Sequence, residues 1–201
     1  AAWTASANLP VYAIGGVGLL KDVHRMATIA FKAEGDAILL IGETRGHLGQ
    51  SIYLREIEGR EEGAAPAVDL AAERRNGEFV RELIGAGLNT VHDISDGGLL
   101  VAIAEMAMAG NIGAVLDAAA GIKFLFGEDQ ARYVAALGEK EAQTLLALAQ
   151  SAGVPAALIG RTGGDKIALK GAGEISLAEV KKAHEGWFPA YMGASELPPV
   201  N

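Results

Sequence analysis

One run constrains this chain more than any other: Val91-His92-Asp93-Ile94-Ser95-Asp96-Gly97-Gly98-Leu99-Leu100. A β-type segment stops at a cluster of one His, two Asp and one Ser, and an apolar stretch reaching Met108 begins at once. This is how a strand ending in a helix N-terminus reads, with polar groups gathered at the junction. Leu99, Ile103 and Met106 share one face of the expected helix over 97–109, and Gly110-Asn111 is a natural stop. Free backbone N–H groups and the positive end of a helix dipole favour an anion at such a start. Two carboxylates in the same place favour a cation. A site that wants both usually holds a phosphate through a metal ion, Mg²⁺ most often.

The rest of the chain mixes strands and helices. Val11 to Ile14 is a short apolar run before Gly15-Gly16-Val17-Gly18. Thr28 to Phe31 and Ala37 to Ile41 read as a hairpin across a polar turn. Gln50 to Ile57 predicts a short helix, and Asp69 caps a longer one to Ala86. Thr90 to Ile94, Ile112 to Leu116, Ile122 to Phe126 and Ala131 to Leu137 read as strands. Glu139 to Ala152 is an amphipathic helix closed by Gly153 and Pro155. Ala156 to Thr162 and Lys166 to Lys170 read as a hairpin across Gly163-Gly164, and Ser176 caps a last helix from Leu177 to about Glu185. Hairpins and crossovers together predict α/β layers on a mixed sheet.

Composition narrows the chemistry. The chain has 201 residues, half of them hydrophobic, which is enough to bury a sizeable core. With 25 acidic residues against 17 basic ones the net charge is −8, which argues against a nucleic-acid backbone as partner. A small phosphorylated molecule stays compatible, because a local site can oppose the global sign. No cysteine is present, so disulfides, zinc thiolates, Fe–S clusters and a cysteine nucleophile are excluded. That fits a cytoplasmic protein. No apolar run reaches membrane-spanning length. The chain does not begin with Met and is expected to be a piece of a longer protein.

Three segments can carry chemistry. At the His92–Gly98 junction, Ser95 or Asp96 is the expected N-cap, which alone needs no ligand. His92, Asp93 and the pair Gly97-Gly98 exceed what capping requires and favour a phosphate site, with Asp93 and Asp96 as metal ligands. Adjacent in an extended segment, His92 and Asp93 should point apart, and with Ser95 they make no hydrolase triad. Gly42 to Ser51, containing Arg45 and Gly49, leaves a strand for a helix. It is either a plain connection or an oxyanion loop with Arg45 and Ser51 as donors, and it is not a Walker A loop. Phe126 to Arg132 is an acidic turn, either a bland hairpin or a site in which Glu128 binds metal or substrate and Arg132 orients it.

In order, Ile14-Gly15-Gly16-Val17-Gly18-Leu19-Leu20, Leu40-Ile41-Gly42-Glu43-Thr44, Leu48-Gly49-Gln50-Ser51-Ile52-Tyr53-Leu54 and His92-Asp93-Ile94-Ser95-Asp96-Gly97-Gly98-Leu99 resemble the phosphoribosylformylglycinamidine synthases of purine biosynthesis. The likeness covers about residues 10 to 190. It points to the last of that family's four lobes, a C-terminal domain of the aminoimidazole ribonucleotide synthetase superfamily. The resemblance implies a three-layer α/β/α (α+β) fold with a mixed sheet. Residues 1–10 would be an irregular lead-in, 11–195 a single synthetase C-terminal-type domain and 196–201 a tail.

The implied reaction is an ATP- and Mg²⁺-dependent ligation. The formyl amide oxygen of formylglycinamide ribonucleotide is phosphorylated, and ammonia derived from glutamine displaces the phosphate to give the amidine. Implied partners are the preceding lobes, a glutaminase subunit and a small accessory subunit. The family's catalytic residues lie in the preceding lobes, so none is assigned in this chain, which alone is expected to be inactive. Phosphate, nucleotide or substrate contacts are carried over to His92, Asp93, Ser95, Asp96, Gly97, Gly98, Gly49, Ser51, Glu128 and Arg132. The turn at 126–132 resembles the family's Phe-Ser-Glu-Ser-x-x-Arg, with Gly127 and Asp129 standing where the pattern has serines. Two other readings stand beside this one: another synthetase or kinase of the superfamily (selenophosphate synthetase, thiamine-phosphate kinase, a hydrogenase-maturation protein), or a non-catalytic docking lobe.

Overall fold

Five consecutive apolar residues, Ala37–Ile41, form strand β1, and all five are buried. An unbroken apolar run is what a strand covered on both faces requires. The computed structural model describes residues 15–20, 22–117 and 121–193, so the apolar run before Gly15 and the expected lead-in and tail lie outside the described residues. After β1 come α1 (Ile52–Glu56), α2 (Leu70–Gly85), β2 (Val91–Asp93), α3 (Gly98–Gly110), β3 (Ala114–Leu116), α4 (Ile122–Phe126), β4 (Tyr133–Leu137), α5 (Glu139–Ser151), β5 (Ala156–Thr162), β6 (Lys166–Leu169), β7 (Gly173–Ser176) and α6 (Leu177–Tyr191). The strands form one seven-stranded sheet in the order β2-β4-β1-β5-β3-β6-β7. Neighbours are antiparallel except β3 and β6, which run parallel, so the sheet is mixed as expected.

Side chains alternate across the sheet and feed two cores. Ile38 and Leu40 point to one face with Leu116, Val134 and Ile167, where Leu99, Ile103 and Met106 of α3 and Leu177 of α6 pack. Ala37, Leu39 and Ile41 point to the other face and meet Phe79 and Val80 of α2 and Ala142, Leu145 and Ala149 of α5. Helices therefore lie on both sides and the three-layer expectation holds. The second helical layer is shorter than the sheet: β3 and β6 contribute to the first core, and no residue of β3, β6 or β7 joins the second.

The N-caps of α2 and α6 and the stop of α3 fall where the sequence places them. Asp69 accepts hydrogen bonds from the backbone N–H of Ala71 and Ala72 at the start of α2. Ser176 and Glu179 form a reciprocal capping box on α6. Asn111, in the left-handed region, closes α3.

Four expectations are corrected. Ile122–Phe126 is helix α4 rather than a strand; its apolar side chains pack toward α3 instead of extending along a neighbouring strand. Thr28 to Phe31 does not pair with β1. Only an isolated parallel bridge joins Thr28 to Thr90, while Phe31 is buried against α3 and its backbone N–H donates to Met106 O. β5 and β6 are not a hairpin either, because β3 lies between them; β6 instead turns back onto β7. The last helix also continues past Glu185 to Tyr191, with Pro189 in its final turn.

Candidate functional site

The turn between α4 and β4 organises the polar end of the sheet. Glu128 reaches across it: its Oε1 accepts from the backbone N–H of Ile52 and of Gly97, each at 2.8 Å. One carboxylate thus serves the starts of two helices, α1 and α3, where backbone donors have no intrahelical partner. Asp129, only 8% exposed, turns the other way. Its Oδ2 accepts from Arg45 N at 3.0 Å and Gly46 N at 2.8 Å, and its Oδ1 from His47 N at 3.2 Å.

Arg132 locks the turn. Its side chain is 1% exposed and donates to three neutral oxygens: Asp129 O at 3.2 Å, Thr44 Oγ1 at 3.1 Å and Gly127 O. Burial pulls the guanidinium below its usual value, and the nearby Asp129 charge works against that pull. Asn76, buried on α2, donates from Nδ2 to Ala131 O at 2.9 Å and holds Ala131 in the left-handed region at φ 58°.

Two hollows open on either side of this turn and share Pro66, Gln130 and Ala131 as a common wall. The larger, about 590 Å³, lies between the loop Glu43–Leu48 and the first turns of α2, with Arg45, Arg75 and Lys123 around it. The smaller, about 380 Å³, is lined by Asp93, Ser95, Asp96, Glu128, Arg132 and Tyr133, among others. Tyr133 is held above the ordinary phenol range, chiefly by burial and then by the carboxylates of Glu73 and Asp93.

The junction 92–98 differs from the capping expectation. The N-cap of α3 is Gly97, in the left-handed conformation and without any side-chain cap. Neither Ser95 nor Asp96 caps the helix, because Glu128 already accepts the Gly97 N–H and the Ser95 carbonyl accepts that of Gly98. The side chains of Asp93, Ser95 and Asp96 are left exposed on the rim of the smaller hollow. Gly98 has φ +76°, and a methyl group there would lie 2.7 Å from the Phe126 carbonyl carbon, so the backbone approach that seats Glu128 needs glycine.

His92 and Asp93 do not point apart. His92 Nδ1 lies 3.1 Å from Asp93 Oδ1 and Nε2 lies 2.9 Å from Glu105 Oε2. Asp93 ends its strand, where the alternation of a regular strand no longer separates neighbours. The ring is gripped from opposite sides, and His92 does not line either hollow.

The remaining candidates divide. Glu128 and Arg132 join Asp93, Ser95 and Asp96 at the smaller hollow. Gly97 and Gly98 line neither hollow: Gly97 is tied to Glu128 through its N–H, and Gly98 packs against the Phe126–Gly127 backbone. Ser51 is 1% exposed and its hydroxyl accepts the Leu54 N–H as the α1 N-cap, while Gly49 packs against Ala64. Both stand away from the two hollows. Sequence reasoning missed Asp129, Asn76 and Arg75. Asp129 could have been found as the carboxylate next to Glu128 in a turn facing a glycine-rich loop.

Among the described residues no group of three or more His, Asp and Glu comes together as a metal site. Asp93 and Asp96 form a pair on one rim. No helix among them is long and apolar enough to cross a membrane.

A mixed sheet clad by helices on both faces, with exposed polar side chains at a strand–helix junction beside open hollows, defines a layered α/β lobe. Residues 33–171 match the family described as AIR synthase related protein, C-terminal domain, and the chain belongs to it. Phosphoribosylformylglycinamidine synthase subunit PurL of Parvibaculum lavamentivorans is 59% identical over 192 residues, covering 92% of this chain and 26% of that protein. The same subunit of Methylocella silvestris is 57% identical over 190 residues. The chain therefore spans about a quarter of the length of these relatives. The fold is also similar to Thermotoga maritima PurL complexed with FGAR, with a TM-score of 0.65 at 18% identity over 77% of this chain and 29% of that one. It resembles the hydrogenase maturation protein HypE of Escherichia coli as well, with a TM-score of 0.54 at 20% identity over 76% and 52% of the two chains.

Proposed function

We propose that this chain is the C-terminal lobe of an ATP-dependent carbon–nitrogen ligase of purine biosynthesis. The whole protein would convert formylglycinamide ribonucleotide, ammonia and ATP to formylglycinamidine ribonucleotide in the cytoplasm. The observation that carries this reading is identity of 57–59% to PurL subunits over nearly the whole chain, the strand–helix junction included. Structures of similar fold from Thermotoga maritima are PurL complexed with FGAR, PurL complexed with ATP, and PurLQS. Ammonia would come from a glutaminase subunit, with a small accessory subunit completing the assembly.

In this reading the lobe supplies binding groups rather than the reacting ones. Asp93, Ser95 and Asp96 would face a phosphate-bearing ligand held against the preceding lobes, with Glu128 and Arg132 fixing the wall behind it. Mg²⁺ suits the pair Asp93 and Asp96, since this ion commonly takes one or two carboxylates and completes six-coordination with water and substrate phosphate. When bound it would neutralise phosphate charge. The exposed carboxylates have the right chemistry for it, although Asp93 is also engaged by His92.

The test is kinetic. In the full-length protein, Asp93→Ala and Asp96→Ala are expected to raise KM for ATP·Mg²⁺ or lower kcat by about tenfold, the loss of one to two charge-assisted contacts. The 201-residue chain alone is expected to show no turnover with ATP and ammonia. Unchanged constants in both variants would remove the junction from the binding site, and turnover by the isolated chain would overturn the assignment of a binding lobe.

A further inference from the structure

The larger hollow gathers Arg45, Arg75 and Lys123 with Glu43 and Asp69 above a ready-made anion receptor, so that apart from Asp129 its lining holds one more cation than carboxylates. Arg45 pairs with Glu43 at 2.7 Å. Arg75 donates to the neutral Asn76 side chain at 3.2 Å, and neither it nor Lys123 belongs to an ion pair among the described residues. At the floor, three successive backbone N–H groups, those of Arg45, Gly46 and His47, converge on the carboxylate of Asp129. Gly46 has φ +76°, and a left-handed residue within such a run turns consecutive amides toward one point. Concave sets of amides of this kind bind oxyanions in general, and surrounding cations add to the attraction. The carboxylate that fills this one comes from a residue more than eighty positions away, so local turn formation does not explain it.

We infer that the larger hollow is an oxyanion site of the phosphate class whose receptor is filled in place by the chain's own Asp129, so that residue 129 decides whether free phosphate binds there. A carboxylate presents two oxygens to the three amides, and a phosphate presents one to each. Removing the side chain leaves the amides aimed into a hollow of about 590 Å³ whose remaining charged lining, Arg45, Arg75 and Lys123 against Glu43 and Asp69, has a net positive charge, with room for the larger ion. This inference does not depend on the ligase reading, because it rests on the amides, the carboxylate and the cations alone. It assigns the native nest, with Asp129 in place, to architecture.

The experiment compares the native chain with Asp129→Ser and Asp129→Gly. Inorganic phosphate is titrated against sodium chloride at matched ionic strength, with the backbone amide resonances as readout. In both variants the amides of Arg45, Gly46 and His47 are expected to shift on phosphate addition, with an affinity at least about tenfold above that of the native chain, equivalent to one charge-assisted hydrogen bond or more. In the native chain these three should not respond. Folded variants whose three amides ignore phosphate would overturn the inference, as would a native chain that binds equally well through the same amides. If a variant fails to fold in chloride, phosphate must restore cooperative unfolding, because it replaces the deleted anion; no restoration would refute the inference too.

Discussion

Glu128 offers the sharpest test of the architecture, because one oxygen of one side chain serves two helix starts. Ile52 N and Gly97 N each donate to Oε1 at 2.8 Å. A hydrogen bond to a charged acceptor contributes about 1.5–3 kcal/mol net, so the pair is worth about 3–6 kcal/mol. Gly97 is buried but Ile52 is half-buried, and water reaching Ile52 N brings the expected cost of Glu128→Ala to about 3 kcal/mol, the lower end of that range. Glu128→Gln keeps an acceptor and loses the charge, which should cost about 1 kcal/mol. In a chain of this size that difference separates the variants by several degrees, with Glu128→Ala melting about 6–12 °C below the native protein.

Urea unfolding followed by circular dichroism measures the free energies. Amide hydrogen exchange at Ile52 and Gly97 reports the two bonds one at a time. Both amides should lose protection in Glu128→Ala, while the β1 amides lose only what the global destabilisation takes. The reasoning fails if Glu128→Ala costs less than about 1 kcal/mol, the value of an ordinary neutral bond. It fails equally if Glu128→Gln is as damaging as Glu128→Ala, since a neutral acceptor in the same place would then hold neither amide.

Arg132→Lys should destabilise the chain by about 2–4 kcal/mol despite the conserved charge, because an ammonium cannot span three oxygens that a planar fork reaches together; an unchanged urea midpoint would contradict this. Tyr133, held above its usual phenol range mainly by burial, should add stability that is fully present below about pH 10, the unfolded value, and is lost as the pH rises through its folded value. Tyr133→Phe should flatten the fall in stability above about pH 10 and remove one raised phase from an ultraviolet phenol titration. A native slope retained in that variant would refute the assignment.

What the sequence disclosed was mostly local. β1 is an apolar run of five, α2 and α6 begin at Asp69 and Ser176, and α5 carries its own period and stop. Each of these features acts within a few residues and is read correctly. Ile122–Phe126 failed because five mostly apolar residues suit strand and helix alike, and packing toward α3 decides between them. The supposed hairpin of β5 and β6 failed because β3, about forty residues earlier in the chain, inserts between them, and no turn signal announces such a pairing. The candidate site shows the same division. Asp93, Ser95 and Asp96 were evident as polar residues at a junction. Their freedom from capping depends on Glu128, more than thirty residues on. Asp129 was noticed only as a departure from a serine pattern, since the amides it serves lie far back in the chain.

The short wall of Gln130 and Ala131 between the hollows has a mechanical consequence. It is fastened through Glu128 to two helix starts, through Asp129 to the 45–47 loop, through Arg132 to Thr44 and through Asn76 to α2. A partition tied on every side has no slack of its own. A guest large enough to push it from one chamber must stretch bonds that shape the other, so room gained on one side is taken from its neighbour.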